Sequence, residues 1–348
     1  MTDSLSCPAP DARDAQRITL AHGEGGQLMR RLIRERILTT VGNDLLLQLG
    51  DATPLPEPTG QHVVTTDSFV VSPMFFPGGD IGSLSVFGTV NDLAVAGAKP
   101  LWTTLAMIIE EGLPIATLDK VLRSVASAAR RSNVQVVAGD TKVVPHGAAD
   151  GLFINTTGIG ELIAPHSPGP NHLEVGDEII VSGPIGQHGM AVMTAREGFD
   201  FDPSPTSDSA PLTEAVDALR EANISIRAMR DATRGGLGAV LHEWAEASRL
   251  SMSIDETQLP VAPEVRGACE LLGIDPIHVA CEGTMLVAVE QDHVVRAVQV
   301  LRKISETASA TRIGNVRSRS IAPVIVCRVT GQQMPLDEPL GAALPRIC

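Results

Sequence analysis

The chain has 348 residues, enough for about two domains, and its 43% hydrophobic and 20% charged residues are typical of a soluble globular protein. Its 27 basic and 41 acidic residues give a net charge of −14, which argues against general binding to nucleic acid or anionic membranes, since both require a basic surface. Aromatic residues make up only 3% and tyrosine is absent, so base-stacking platforms and aromatic ligand cages are not expected.

Residues 1–17 are rich in Pro, Asp, Ser and Ala, a composition that predicts a disordered N-terminal extension. The first 20 residues contain three aspartates and no apolar run, unlike a secretory signal. No window of 18 uninterrupted apolar residues occurs, so no membrane span is predicted. We therefore expect a cytoplasmic protein that does not contact a membrane.

Residues 18–165 are expected to form the first domain, in which helical and strand patterns alternate. The predicted elements are a helix over Gln27–Leu38, a turn-rich stretch over Gly42–Gly60, short strands at Val63–Thr66 and Val70–Val71 interrupted at Thr66–Ser68, helices over Ile81–Gly97 and Thr117–Arg131, a strand over Val134–Ala138 ending at Gly139–Asp140, and a strand over Leu152–Ile163.

Residues 166–334 are expected to form the second domain, after a boundary near Pro165–Leu173. The predicted elements are a strand at Glu178–Val181, a helix over His188–Arg196, a surface loop over Phe199–Pro211, helices over Gly235–Ser248 and Glu264–Leu272, a strand at Met285–Glu290, a helix over His293–Ile304, and strands at Thr311–Val316 and Val324–Val329.

This alternation predicts two layered domains of α/β or α+β type. Neither a GxGxxG fingerprint nor a GxxxxGK[ST] loop occurs, so ATP binding would require another architecture.

Residues 331–348 have no periodicity and three prolines, and we expect residues 335–348 to form a mobile tail. The last dozen residues can span about 40 Å when extended.

The five cysteines form no CxxC pair, which indicates neither a zinc site nor a disulfide framework. Cys348 ends the chain, and a terminal thiol is either a covalent carrier or an incidental surface group.

Two glycine-rich stretches precede predicted helices. One contains His22, Gly23, Gly25 and Gly26; the other is Arg234–Gly236. Glycines at a helix start let main-chain N–H groups approach an anion, and an arginine beside them suits phosphate or a carboxyl-like group. The alternatives are a flexible turn for the first stretch and a helix entry capped by Asp231 for the second.

Four aspartates lie at predicted element ends or inside apolar segments: Asp51, Asp67, Asp92 and Asp140. Mg²⁺ prefers hard oxygen ligands and is commonly held by a few carboxylates together with phosphates. Each aspartate alone also fits a cap or a turn. Asn91–Asp92 lies inside an apolar helix, where a carboxylate is costly unless it is paired or liganded.

Two further clusters contain candidate acid–base groups. Gly139, Asp140, Thr141 and Lys142 follow an apolar strand, where the lysine suits phosphate binding, proton transfer or a plain ion pair. Glu282 follows Cys281 and precedes Gly283 just before a strand, a position that suits a base or a ligand but is a weak signal by itself.

Together these clusters resemble the HypE family of nickel–iron hydrogenase maturation proteins, which are carbamoyl dehydratases in the superfamily of aminoimidazole ribonucleotide synthetase. The matching stretches are LAHGEGG (20–26), TTDSFVVSPMFFPGGDIG (65–82), GTVNDLAVAGAKP (88–100), EEGLP (110–114), GDTKVV (139–144), DATRGG (231–236), CEGT (281–284) and PRIC (345–348). The ending PRIC distinguishes this family within the superfamily.

The resemblance implies two α/β domains, the first binding ATP and pairing its sheet with that of a second copy in a homodimer. It also implies that a carbamoyl group is loaded on Cys348 by the carbamoyltransferase HypF, dehydrated with ATP to a thiocyanate, and delivered as cyanide to iron on a HypC–HypD scaffold.

The resemblance also implies residue roles. Lys142 and Glu282 would transfer protons and orient the carboxamide, and Asp67, Asp92, Asp140 and Asp51 would hold Mg²⁺. ATP or its phosphates would contact His22, Gly23, Gly25, Gly26, Asn91, Gly139, Thr141, Arg234, Gly235 and Gly236, with the tail as the alternative partner of the two glycine-rich stretches.

One departure is Cys281, where the family usually has asparagine, which affects only the hydrogen bonding expected around Glu282. Two other functions remain open. A selenophosphate synthetase would need a reactive Cys beside the first glycine-rich stretch, whereas Cys7 lies well ahead of it. A nucleotide-regulated assembly protein would use Cys348 only to contact a partner or a metal.

Overall fold

The structure, a computed structural model, describes residues 16–24, 26–49, 52–57, 60–163 and 168–338. Its helices are α1 (Gln27–Leu32), α2 (Leu38–Val41), α3 (Ile81–Val95), α4 (Ile115–Arg131), α5 (Gln187–Glu197), α6 (Thr213–Glu221), α7 (Gly236–Ser248), α8 (Pro263–Leu272) and α9 (Val294–Leu301). Its strands are β1 (His62–Phe69), β2 (Phe75–Phe76), β3 (Gly79–Asp80), β4 (Ala98–Glu110), β5 (Gln135–Val144), β6 (Leu152–Leu162), β7 (Glu178–Val181), β8 (Ile226–Asp231), β9 (Ser251–Asp255), β10 (Met285–Val289), β11 (Thr311–Arg317), β12 (Val324–Cys327) and β13 (Gln333–Pro335).

The first sheet has four strands in the order β1-β6-β4-β5, antiparallel except for the parallel pair β4–β5. One face packs on α3 and α4. Helix α3 is apolar nearly all round and is almost entirely buried, as expected for a helix enclosed between layers. Helix α4 is amphipathic and buries Leu118, Val121, Leu122 and Val125. The opposite face carries exposed apolar side chains, among them Val64 (67% exposed) and Ile108 (44%).

The second sheet has seven strands in the order β13-β12-β9-β11-β7-β10-β8 and is covered on both faces. Because side chains alternate along a strand, Ile179 and Val181 pack with Leu241 and Trp244 of α7, whereas Ile180 packs with residues of α6 and α9. The structure therefore confirms the layered α/β class.

Two predicted strand ends are wrong, and both affect candidate site residues. Strand β1 continues through Asp67, which pairs with Thr156, and β5 continues through Gly139 and Asp140 to Val144. In both places pairing with a long neighbouring strand overrides the local preference of Asp and Gly for turns. Val70–Val71, predicted as a strand, lies outside β1.

Several elements were not predicted from the sequence, notably the 13-residue strand β4 at the centre of the first sheet. Helix α6 and strands β8, β9 and β13 were also missed, and β13 lies in the stretch assigned to the irregular C-terminal segment. The predicted helix over Gln27–Leu38 is present, with a π-helical turn at Ile33–Ile37 between α1 and α2. Within the described residues no helix is long and apolar enough to cross a bilayer.

Candidate functional site

A polar cleft of about 120 Å³ lies where β1 and α3 of the first domain meet the second domain. It brings together four predicted site residues that are far apart in sequence. Its lining comprises Asp67, Ser68, Phe69, Gly88, Asp92, Arg230, Asp231, Thr233, Arg234 and Glu282.

Asp67 and Asp92 form a carboxylate pair in this cleft. Asp67 lies on β1 and Asp92 on α3, and their side chains are hydrogen-bonded to each other. The Thr65 hydroxyl donates to Asp92 Oδ2 at 2.7 Å. Burial, and then the negative charge of Asp92, raise the pKa of Asp67. Two carboxylates in contact repel each other when both are ionised, and a divalent cation removes that repulsion, so the pair fits Mg²⁺.

Glu282 is buried, with 4% of its surface exposed. Burial is the main cause that raises its pKa well above the ordinary value, followed by the negative charges of Asp231 and Asp208. Gly88 of α3 lies behind this group; a Cβ there would lie 2.9 Å from the Phe69 ring, which also lines the cleft. A carboxylate held this way is a stronger base than an exposed one, so it suits proton transfer to or from a bound group.

Asp231 ends β8 and is also buried in the cleft. Burial, and then the charge of Asp92, raise its pKa from 3.8 to about 7. The folded protein thus binds a proton more tightly than the unfolded chain, so this residue lowers the free energy of unfolding as pH rises from about 4 to 7.

Asp231→Asn is expected to make the free energy of unfolding less dependent on pH between 4 and 7 and to raise it at pH 8 by up to about 4 kcal/mol. Urea unfolding of the metal-free and nucleotide-free protein measures both quantities. If the free energy of unfolding keeps the same dependence on pH, or is lower at pH 8, the buried Asp231 carboxylate does not destabilise the folded protein.

A second group of predicted residues lies on β5, at the other edge of the first sheet. Asp140 and Lys142 are exposed on the outer face, opposite α3, whereas Thr141 between them is buried on the inner face. The His22–Gly23 turn packs against β5 so closely that a Cβ at Gly23 would lie 2.6 Å from the Val143 nitrogen. His22 Nδ1 is held by Thr19 at 2.9 Å.

An apolar pocket of about 130 Å³ adjoins this second group. Its walls come from the segment Met29–Val41, Leu46, Leu49 and the inner face of β4 and β5, and Gly139, Asp140 and Thr141 lie at one side. An apolar cavity beside polar and glycine residues is a suitable environment for a planar heterocyclic base with phosphates outside it.

The two groups are separate within one chain. Strands β6 and β4 lie between β1 and β5, which places the edge strands about 14 Å apart. Asp67 and Asp92 lie on the inner side of the sheet and Lys142 on the outer side, as the strand register requires. The sequence predicted one site, but a single chain does not bring Lys142 and Asp140 to Glu282.

Asn91 differs from its predicted role as an ATP or phosphate contact. It is 1% exposed, and its amide binds main-chain groups: Nδ2 donates to the carbonyl oxygens of Ala210 at 3.0 Å and Glu282 at 3.3 Å, and Oδ1 accepts from Leu212 N–H at 2.8 Å. A neighbour of Asp92 on the same helix thus fixes the main chain behind the cleft.

Arg234, Gly235 and Gly236 form the entry to α7, and Arg234 lines the cleft. Both glycines have positive φ, and a Cβ at Gly236 would lie 2.6 Å from the Val279 carbonyl oxygen. These glycines are therefore required by the main-chain path. Gly26 precedes α1 as its N-cap residue.

Three predicted residues, Gly25, Asp51 and Cys348, lie outside the described part of the chain.

Cys281 is buried in the core of the second domain, where its Sγ accepts from Gly186 N–H at 3.2 Å. Burial raises the pKa of this thiol well above its ordinary value, so Cys281 is an unreactive packing residue.

Two carboxylates were not predicted as site residues: Asp231, which lines the cleft, and Asp208, which binds the main chain of Glu282. Asp231 was considered only as a helix cap. Asp208 comes from the loop between α5 and α6 and carried no recognisable signal, because its surroundings, residues 203–211, have the composition of an ordinary surface loop.

Comparison with known proteins gives a consistent result over nearly the whole chain. The N-terminal and C-terminal domain models of AIR synthase related proteins match residues 50–162 and 174–326. A carbamoyl dehydratase HypE from Azotobacter vinelandii is 42% identical over 333 residues, covering 95% of this chain and 97% of the relative.

Two solved structures are also similar. The crystal structure of hydrogenase maturation protein HypE in complex with ATP has a TM-score of 0.92 and 40% identity, covering 95% of this chain and 99% of the other. A chain of a HypE–HypF complex has a TM-score of 0.78 and 42% identity, with coverage of 90% and 100%.

Proposed function

The chain belongs to the HypE family of hydrogenase maturation proteins, and from this membership we propose that it is an ATP-dependent carbamoyl dehydratase whose substrate group is carried on its own Cys348. The observation that carries the proposal is the buried carboxyl group of Glu282 beside the Asp67–Asp92 pair, in a chain that ends in cysteine. The maturation target is the cyanide ligand of the hydrogenase iron.

The chemistry requires activation of a poor leaving group. The oxygen of the S-carbamoyl group attacks the γ-phosphorus of ATP, which releases ADP and one proton and gives an imidate phosphate. Loss of inorganic phosphate and of the remaining N–H proton then forms the C≡N bond, leaving S-cyanocysteine. A group that accepts protons from nitrogen must therefore lie beside a phosphate site.

Glu282 is the residue suited to proton transfer at the carbamoyl nitrogen. Its raised pKa makes the Glu282 carboxylate a stronger base than an exposed one, so it can take a proton from the nitrogen. Lys142 provides a positive charge for the phosphate or for the carboxamide oxygen. Closure of the tail over the cleft would exclude water from the labile intermediates.

ATP binding is assigned to the first domain. The pocket beside Gly139–Thr141 would take the base, and the His22–Gly26 stretch would approach the phosphates. The Mg²⁺ ligands would be Asp67, Asp92 and Asp140, with Asp51 a further candidate. When bound, Mg²⁺ shields the phosphate charges and favours departure of ADP.

The cleft residues and the residues on β5 come together if two copies pair through the sheet face that no helix covers. That face carries exposed apolar side chains, including Val64 and Ile108, and it also carries Lys142 and Asp140. We propose a two-fold arrangement in which the edge strand β5 of one copy lies beside the edge strand β1 of the other. Lys142 and Asp140 of one copy would then complete the cleft that contains Glu282 and Asp67 of the other.

Mixed dimers test this shared site. Lys142→Ala and Glu282→Gln proteins are each expected to be inactive, because every site then lacks one essential group. A dimer with one copy of each variant has one intact site of two, so we expect about half of the wild-type thiocyanate yield per dimer.

The mixed dimers are obtained by co-expression of the two variants with different affinity tags. The matched control is a dimer in which both substitutions are in the same copy and the other copy is wild type; it has two sites that each lack one group. Mixed dimers as inactive as the parent variants, or an active control, would contradict the shared site.

The tail has a route toward the cleft. Glu338 Oε2 lies 4.0 Å from His242 Nδ1 on α7, and Trp244 on the same helix lines a groove of about 660 Å³ that extends to Asp92. Residues 339–348 span up to about 33 Å, longer than the roughly 20 Å of α7. We assign the groove to the approach of the tail.

The length of the tail would also let Cys348 reach partner proteins. A relative has been solved as a HypE–HypF complex, which supports HypF as the carbamoyl donor. Delivery to a HypC–HypD scaffold follows from the family assignment. The reactions are cytoplasmic in this proposal.

A further inference from the structure

The loop between α5 and α6 bridges the two domains next to the cleft. Ser207 N–H donates to the Pro77 carbonyl oxygen at 2.9 Å in the first domain, and Gly78, with φ of 91°, leaves space for the Ser207 carbonyl oxygen. The next residue, Asp208, contacts the second domain. The loop is therefore fixed from both sides.

Asp208 holds the main chain of Glu282. Its Oδ1 accepts from Glu282 N–H at 3.1 Å and its Oδ2 accepts from Gly283 N–H at 3.0 Å. The approach is close enough that a Cβ at Gly283 would lie 1.9 Å from the Asp208 carbonyl oxygen. One carboxylate thus binds two successive amides, which fixes the orientation of the peptide between them.

Asn91 completes the clamp from the first domain. Its amide binds Ala210 and Leu212 of the loop and also the carbonyl oxygen of Glu282. Since Asp92 follows Asn91 on α3, the clamp ties the position of Glu282 to that of the carboxylate pair. A displacement of about 1 Å between reacting groups is enough to cost a large factor in rate.

We propose that Asp208 is a positioning residue for the dehydration step: by holding the main-chain amides of Glu282 and Gly283 it places the Glu282 carboxyl group against the carbamoyl nitrogen. This inference rests on the proposed dehydratase function. Asp208 does not contact the substrate, and its effect is transmitted through the 282–283 peptide.

The test compares two substitutions in protein whose Cys348 has already been carbamoylated. Asp208→Ala removes both acceptors, and Asp208→Asn keeps one. We expect the turnover of carbamoyl to thiocyanate to fall about 100-fold for Asp208→Ala and about tenfold for Asp208→Asn, with the KM for ATP within about twofold of wild type. Asp200→Asn, an exposed aspartate of the same loop, is the matched control and should keep full activity.

Rates are expressed per folded protein, measured by near-ultraviolet circular dichroism, so that a loss of stability is not counted as a loss of turnover. A graded fall in kcat at constant KM supports positioning, since a general structural defect would change ATP binding as well. Wild-type rates in both variants, or a raised KM together with a lowered kcat, would show that Asp208 does not position Glu282. Neither result would contradict the proposed dehydratase function. Absence of thiocyanate in the wild-type protein would instead overturn the proposed function and this inference with it.

Discussion

Cys348→Ala is expected to give a folded protein that accepts no carbamoyl group and forms no thiocyanate. The carrier step needs an accessible thiolate, and the two buried thiols of the described residues, Cys269 and Cys281, do not offer one. Burial raises the pKa of Cys269 to about 11 and that of Cys281 well above its ordinary value, so both thiols remain protonated and inaccessible.

Incubation with the carbamoyltransferase, carbamoyl phosphate and ATP, followed by intact-mass analysis, measures this prediction. Cys327→Ala is the matched control, because Cys327 is a half-exposed thiol far from the chain end, and it should load normally. Carbamoyl or cyano adducts retained in the Cys348→Ala protein would refute the carrier role of the tail.

Glu282→Gln is expected to load carbamoyl normally and then to slow its dehydration by about 1,000-fold. Glutamine fills the same buried space but does not accept the proton that must leave nitrogen. The neutral amide also removes a carboxyl group that is unfavourable when ionised in this site, so the variant should be at least as stable as wild type at pH 7.

A variant that keeps its stability but loses turnover is impaired in the chemical step and not in folding. Single-turnover mass analysis of preloaded protein gives the rate, and thermal unfolding gives the stability. Glu246→Gln, an exposed carboxylate on α7, is the matched control. Normal formation of thiocyanate by Glu282→Gln would show that another group takes the proton.

Much of the fold could be predicted where a long element is buried on one side only or is apolar throughout. The amphipathic pattern of α4 and the apolar character of α3 located both helices within a few residues. Strand β4 was missed because apolar residues occur on both of its faces, so the period of two is lost. Asp67 and Gly139 predicted the ends of two strands, but both residues pair within strands that continue past them.

The candidate site was predictable only residue by residue. The motifs identified Asp67, Asp92 and Glu282, and folding places all three in one cleft. The motifs did not indicate that Lys142 faces the other side of the sheet, because that depends on the register and order of four strands. Asp208 had no sequence signal, since its role arises from a contact between segments 74 residues apart.

The most direct test of the central claim is the intact mass of the protein after carbamoyl loading, recorded before and after addition of Mg·ATP. Covalent carriage predicts an increase of about 43 Da on Cys348 without further ATP, which changes to about 25 Da once ATP is added, since cyano then replaces carbamoyl. A protein that shows no adduct on Cys348 under either condition would contradict the account and would favour an assembly role for the terminal cysteine.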